Sequence, residues 1–197
     1  MRAEYENVLD DHLGQIHFTY VNTWDELLPA HWHEHLEIIY VLGGEITASI
    51  NDVSYELKKG DIFLVNSNDI HYTHTHEDAR YYLLQIPPVH LERISAKWEG
   101  LKFQEFIRSK SADACVQGEQ LENVQGKGLV EMRENRKSTN RADDLYDQLR
   151  DVFRKIAGFY EEKKEGYHLL VLSAVYRLLY FLTKRNRFIS YFTALTS

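Results

Sequence analysis

The chain has a single cysteine, Cys115, among its 197 residues. One thiol excludes an internal disulfide and is typical of a protein kept in a reducing compartment. Because no base or metal-ligand spacing surrounds it, we expect Cys115 to be chemically inert. Residues Met1 to His12 also lack the apolar stretch of a secretory signal, so the sequence predicts a cytoplasmic location.

Positive charge and long apolar runs are scarce as well. The formal net charge is −7, from 23 Lys and Arg against 30 Asp and Glu. Because clustered Lys and Arg side chains hold nucleic-acid phosphates, this balance argues against a dominant nucleic-acid surface. The most apolar segment, Tyr167 to Thr183, is shorter than the roughly 20 residues of a membrane span and contains Arg177. We therefore expect no membrane partner, and a buried helix over this segment.

Apolar residues make up 44% of the chain, enough for one domain with a sizeable core. Between Leu36 and Ile86, short apolar or alternating runs are separated by turn residues, a pattern typical of a β-sandwich or barrel. The predicted strands are Leu36 to Leu42, Glu45 to Ile50, Val53 to Leu57, Ile62 to Val65, His71 to His76 and Arg80 to Ile86. The Pro87-Pro88 pair ends this series.

After Pro88 the pattern changes. Val89 to Ser109 reads as helical or mixed, and the polar stretch from Ser111 to Arg141 reads as a long loop or a poorly formed strand. A helical period then begins at Asp143, and a second helix follows over Tyr167 to Lys184. We therefore predict a barrel over residues 1–100, a partly irregular connection over 101–142 and a helical hairpin over 143–186.

The second helix of this hairpin is apolar nearly all round, so it has to be covered on two sides. Its partner helix covers one side. The other side needs either the barrel or a second subunit. The pattern favours a homodimer formed through the hairpin.

The residues with the most chemistry are concentrated in one short segment, His31-Trp32-His33-Glu34-His35-Leu36-Glu37. In an extended strand, alternate side chains point to one face, so the three histidines and Glu37 would face the same cavity. Imidazole and carboxylate groups bind zinc, iron, nickel, copper or manganese, and the same groups hydrogen-bond to sugar hydroxyls. The residues alone leave both possibilities open.

The spacing of this segment resembles the first signature motif of the cupin superfamily, and a later one resembles the second. The first is His31-x-His33, three residues, Glu37, six residues, Gly44; the second is Gly60, ten residues, His71. In cupins that hold a metal, such residues meet inside a small double-sheet barrel. Carried over, the resemblance implies that His31, His33, Glu37 and His71 are ligands of a divalent transition metal. The chain departs from the motif glycines, proline and asparagine at Asp25, Asn66, Asn68 and Thr75.

Over a longer stretch the chain resembles the N-terminal sensor domain of the AraC family of bacterial transcription regulators. The segments that match are His31 to Gly44, Lys59 to Asn66, Asn68 to His71 and Leu84 to Pro87. The resemblance implies a mainly β cupin barrel, a double-stranded β-helix or jelly roll, that binds a small-molecule effector, often a sugar. It also implies a C-terminal helical hairpin that dimerises. The match covers Pro29 to Pro88 well and the helices in outline.

The DNA-binding part of that family, with two helix-turn-helix units, has no room after the last predicted helix. Only Arg185 to Ser197 follows it. We therefore interpret the chain as a truncated sensor domain, and we expect specific DNA binding only through a C-terminal domain that it lacks.

Two other functions compete with the regulator interpretation. One is a metal-dependent cupin enzyme, a dioxygenase, isomerase or epimerase, whose ion binds oxygen or polarises a carbonyl. The other is a stand-alone sugar-binding cupin. The predicted hairpin favours the regulator, because a small cupin enzyme does not need it.

For several other side chains, the position along a strand predicts which face of the sheet they occupy. His35 shares the face of His33, so either a bulge turns it away or it replaces one of the presumed ligands. The complete set of candidate ligand-binding residues is therefore His31, His33, His35, Glu37 and His71. The parity of His74 and His76 is opposite to that of His71 and predicts solvent exposure, whereas Trp32 and Tyr40 are expected to pack in the core.

Overall fold

The computed structural model describes residues 3–8, 16–76, 78–94, 102–108 and 139–186, with the side chains of the last range described from 145 to 184. The strands of these ranges are β1 (Glu4–Tyr5), β2 (His17–Thr23), β3 (Leu27–Trp32), β4 (Leu36–Gly43), β5 (Glu45–Ile50), β6 (Val53–Lys58), β7 (Ile62–Val65), β8 (His71–Thr75), β9 (Ala79–Ile86) and β10 (Phe106–Ile107). The helices are α1 (Pro88–Glu92), α2 (Thr139–Glu162) and α3 (Tyr167–Asn186).

The strands form two five-stranded sheets, with strand orders β1-β3-β8-β5-β6 and β10-β7-β4-β9-β2. The pairings are antiparallel except for β1, which lies parallel to β3. The predicted barrel followed by a helical hairpin is confirmed. No helix in the described ranges is long and apolar enough to cross a membrane.

Strand β4 is buried on both of its faces, which explains why its sequence is an almost continuous apolar run. Ile39 and Val41 belong to the apolar cluster inside the barrel. Leu36, Ile38 and Tyr40 instead belong to the cluster that the sheet shares with the helices. The period of two along β4 therefore separates the barrel interior from the interface with the hairpin.

The hairpin packs against the outer face of the β4 sheet. Phe153 of α2 is fully buried there, and its ring centroid lies 5.5 Å from that of Tyr40. Residues of α3 are buried in the same cluster, namely Val171, Ala174, Val175, Leu178, Leu179 and Leu182. This cluster, which α3 shares with α2 and the sheet, thus buries one side of the apolar helix α3.

Two turns keep a left-handed backbone where the cupin motifs have glycine. Asp25 has a φ of 45° and Asn68 a φ of 66°. Asp and Asn tolerate this conformation better than most side chains, because their short polar groups can hydrogen-bond locally. The departures from the motif therefore leave both turns in place.

Residues 102–108 are attached to the edge of the barrel. The buried side chain of Asn66 binds the backbone of Phe103 twice: its Nδ2 donates to the carbonyl at 3.2 Å, and its Oδ1 accepts from the N–H at 2.7 Å. Arg108 donates to the buried carboxylate of Asp61 at 2.8 and 2.6 Å. With α1 and β10, the segment Val89 to Ser109 is mixed where it is described, as predicted.

Parts of the predicted connection lie outside the described residues. These are Cys115 and most of the polar stretch from Ser111 to Arg141. The end of that stretch is helical, because α2 begins at Thr139 and not at Asp143. The apolar period becomes recognisable only at Leu145, so the sequence pattern does not reveal the first turns of the helix.

Candidate functional site

The histidine-rich segment is divided between the two sheets. β3 ends at Trp32, the chain bends at Glu34 and His35, and β4 begins at Leu36. The extended geometry that would put all four side chains on one face is therefore interrupted, and the structure has a bend where the sequence left a bulge at His35 open. Alternation of polar and apolar residues does not reveal where a strand breaks, and this bend carries the chain from one sheet to the other.

Despite the bend, four of the predicted residues come together inside the barrel. They are His31 on β3, His33 just after it, Glu37 on β4 and His71 on β8, and all four are buried. One ring nitrogen from each of the three histidines lies within 4.8 Å of the others. His33 Nε2 lies 3.1 Å from Glu37 Oε2, and His71 Nε2 lies 3.9 Å from Glu37 Oε1. We call these residues the four-residue site.

His35, the fifth predicted residue, is only half-buried. Its ring centroid lies 5.9 Å from that of His33, in an edge-on arrangement. Among the described residues, the group of histidines with converging ring nitrogens does not include it. The bend at His35 itself accounts for its different direction.

Two backbone carbonyls fix the direction in which the histidine lone pairs point. His31 Nδ1 donates to the carbonyl of Pro29 at 2.8 Å, and His71 Nδ1 donates to the carbonyl of Asp69 at 3.0 Å. The neutral rings therefore carry their lone pairs on Nε2. Neither Nε2 atom has a hydrogen-bond partner within the described ranges, although both are buried. A metal-binding histidine is commonly oriented in this way, so the donor set fits a transition-metal ion.

The charge of the site is set mainly by Glu37. Burial acts to raise its pKa, but the hydrogen bond from His33, the charges of His71 and His33 and the hydrogen bond from Gln85 lower it to about 2. For His33, burial acts to lower the pKa, and the hydrogen bond and charge of Glu37 raise it above its ordinary value. Burial lowers the pKa of His71 below its ordinary value. The fold thus favours a carboxylate beside at least one neutral imidazole.

Glu37 gives the metal-free protein a stability that depends on pH. Its folded-state pKa of about 2 lies below the ordinary 4.5, so the contribution is complete above about pH 4.5 and is lost as the pH falls towards 2. We expect Glu37→Gln to lower the free energy of unfolding by about 1–3 kcal/mol at neutral pH, and by less at pH 3. Urea unfolding at a series of pH values measures this difference. The exposed Glu45→Gln variant is the control, and a Glu37→Gln difference that does not change with pH would contradict the assignment.

The sequence did not identify two other polar residues of the site. Gln85 of β9 is buried, and its Nε2 donates to Glu37 Oε2 at 2.9 Å. One amide within the otherwise apolar end of β9 was the signal that could have revealed it. Glu6 follows β1, and its Oε2 lies 3.6 Å from His31 Nε2. No local pattern marks Glu6, because a pairing between strands distant in sequence brings it there.

The remaining singled-out side chains lie outside the site. His74 and His76 are half-buried on the outer face of the sheet, where His74 Nε2 lies 3.0 Å from Asp25 Oδ1 and His76 Nε2 lies 2.8 Å from Thr47 Oγ1. Trp32 packs against Tyr5. Tyr40 is buried under the helices, as described above.

A family model of the AraC-like ligand binding domain matches residues 14–179 of the chain. The chain belongs to this family. A stretch of the AraC-like domain is also similar to YdeC, an uncharacterized HTH-type transcriptional regulator of Bacillus subtilis (strain 168). The two are 30% identical over 63 residues, which cover 31% of this chain and 22% of that regulator. The match spans far less than two thirds of the relative.

Solved structures similar to the AraC-like domain include cupins of different origin. An RmlC-like cupin from Shewanella frigidimarina is 20% identical, with a TM-score of 0.35, over 36% of this chain and 66% of that one. KdgF from Halomonas sp. is 23% identical, with a TM-score of 0.35, over 36% of this chain and 69% of KdgF. A mutant of the oxalate decarboxylase OxdC from Bacillus subtilis is 19% identical, with a TM-score of 0.34, over 36% of this chain and 21% of the decarboxylase.

Proposed function

We propose that this AraC-like domain is the effector-sensing part of a transcription regulator, and that its effector cavity is built around a divalent metal in the four-residue site. The observation that supports the metal is that His31 and His71, whose buried Nε2 atoms have no hydrogen-bond partner in the described ranges, cluster with His33 beside the carboxylate of Glu37. Buried polar atoms without partners are costly, and a cation removes that cost. DNA binding would belong to another part of the regulator.

The metal in this proposal is a zinc, nickel, iron, manganese or copper ion. It would act as a Lewis acid that binds oxygen atoms of a small molecule. The protein's contribution is to hold the ligands in place. The carbonyls of Pro29 and Asp69 orient two histidines, and Gln85 holds Glu37 through its amide.

The effector in this proposal is a small molecule rich in oxygen, such as a sugar. The chemistry of the site supports this choice, because imidazole and carboxylate groups hydrogen-bond to sugar hydroxyls. A groove of about 410 Å³ includes His71 in its lining, but it does not include His31, His33 or Glu37. Its lining residues Ser49 and Tyr72 are paired on the outer face of the sheet, so this groove does not provide room for the effector.

The test compares the metal-loaded and the chelator-treated chain in a thermal shift screen of sugars and sugar acids. We expect the effector to stabilise the metal-loaded form by about 2.7 kcal/mol at a concentration of 100 times its Kd, and to have little effect after chelation. Metal analysis of the purified protein accompanies the screen. An effector that binds equally well after chelation would favour a metal-free sugar-binding cupin, and turnover of the added compound would favour an enzyme.

We also propose that the domain forms a homodimer through α3. The barrel does not cover all the apolar residues of this helix: Leu169 is 63%, Leu170 49% and Tyr180 57% exposed. Burying a leucine side chain is worth about 2 kcal/mol, and a two-fold partner presents the same surface in return.

The double substitution Leu169→Asp and Leu170→Asp is expected to convert the dimer into a monomer, because it places four charges in a two-fold interface. Sedimentation equilibrium of the purified chain measures the change. Ser54→Asp, at an exposed position of β6 outside the proposed interface, is the control for added charge. A wild-type chain that remains monomeric at high concentration would contradict the proposed dimer.

A further inference from the structure

The N-terminal segment brings a second carboxylate to the four-residue site. Its strand β1 pairs in parallel with β3, with Glu4 opposite His31 and Tyr5 opposite Trp32. The backbone N–H of Glu6 donates to the carbonyl of Trp32 at 3.0 Å, and the rings of Tyr5 and Trp32 are in contact at 4.8 Å. These contacts fix the backbone of Glu6 next to the histidines.

The carboxylate of Glu6 points into the site. Its Oε2 lies 3.6 Å from His31 Nε2 and 3.9 Å from His33 Nε2. The side chain as a whole is 40% exposed, yet this oxygen is buried and has no hydrogen-bond partner within the described ranges. One end of Glu6 therefore reaches solvent while the other faces the histidine nitrogens.

This arrangement brings together two atoms that both carry lone pairs. His31 Nδ1 donates to Pro29, so in the neutral ring Nε2 cannot also donate to Glu6. A separation of 3.6 Å is in any case too long for a hydrogen bond. Two such atoms repel each other unless a metal cation, a proton or a bridging water lies between them.

The distances are slightly longer than those around a shared metal ion. An ion with bonds of about 2.1 Å holds neighbouring ligand atoms roughly 3–3.5 Å apart. Glu6 Oε2 lies 3.6 and 3.9 Å from the two histidine nitrogens, so its carboxylate has to move slightly inward to share the ion.

We propose that Glu6 is a further ligand of the metal in the four-residue site, and that it holds the coordination position at which a carboxylate-bearing effector would bind. The inference rests on the proposed metal site. It adds a residue that lies outside both cupin motifs. A carboxylate of the effector would take the place of the Glu6 carboxylate.

The experiment measures Co²⁺ binding by the whole chain, using the visible absorption of the ion, which reports the number and type of its ligands. Glu6→Ala is compared with the wild type, with Glu4→Ala as the matched control from the exposed part of the same segment. We expect Glu6→Ala to weaken Co²⁺ binding at least about tenfold and to change the spectrum, while Glu4→Ala does neither. Acetate should bind the Co²⁺ form of Glu6→Ala more tightly than that of the wild type.

Other outcomes would overturn the inference. An unchanged spectrum with Glu6→Ala, or equal weakening by Glu4→Ala, would mean that Glu6 acts only through its charge. If Glu6→Ala binds Co²⁺ like the wild type while His33→Ala does not bind it, the inference fails and the proposed metal site stands. If the wild type itself does not bind Co²⁺, both fail. Acetate binding that is equal in the two proteins would refute the effector position.

Discussion

Replacing His33 and His71 together by alanine is expected to weaken divalent-metal binding by at least about a hundredfold, because even loss of an outer-shell partner costs 10–100-fold. Both side chains are buried. Their Nε2 atoms lie 3.1 Å (His33) and 3.9 Å (His71) from the carboxylate oxygens of Glu37. The measurement is competition with a chromophoric chelator for Zn²⁺ or Ni²⁺. Far-UV circular dichroism and thermal unfolding show whether the barrel remains folded.

The matched control is the double variant His74→Ala and His76→Ala. It also removes two histidines from the region of β8, but from the outer face of the sheet, where their ring centroids lie 4.7 Å apart. We expect its metal affinity to equal that of the wild type. If this control loses the metal and the His33 and His71 variant keeps it, the binding site is on the outer face and the proposed function is wrong.

Phe153→Ala is expected to lower the free energy of unfolding by about 3–5 kcal/mol, the usual cost of truncating a fully buried phenylalanine. The ring lies between the hairpin and the β4 sheet, in contact with Tyr40. Its loss leaves a cavity at the interface that joins helices and barrel. Urea unfolding, monitored by circular dichroism, gives the free energy.

Trp24→Ala is the control for this substitution, since its side chain is exposed and lies outside the proposed interface on α3. Its effect on the unfolding of the single chain should stay below about 0.5 kcal/mol, as for most surface substitutions. A loss of less than about 1 kcal/mol for Phe153→Ala would show that the hairpin is not packed on its own barrel, because truncating a buried residue costs more.

Much of the fold could be predicted because its strands repeat a simple pattern. Apolar residues alternate in β5 and β6 and run continuously in β4 and β7, and the turns between these strands carry Asn51-Asp52 and Gly60. Each of these signals acts over a few residues, so the sequence alone contains it. The spacing of the histidines was equally informative, because motif positions depend on strand and turn lengths.

The details that were missed depend on contacts between distant parts of the chain. The bend at His35 follows from the need of β3 and β4 to join different sheets. Glu6 comes close to His31 only through the pairing of β1 with β3, and Gln85 reaches Glu37 only across neighbouring strands. Hydrophobic periodicity contains no information about such partners.

The two buried faces of β4 let one strand serve two separate packing layers. Residues 37, 39 and 41 face the barrel interior, while their neighbours at 36, 38 and 40 face the helices. A substitution in the first set alters the barrel interior, and one in the second set alters the seat of the hairpin. Changes to the interior and changes to the interface between barrel and helices can therefore arise separately, at odd-numbered and even-numbered positions of the same strand.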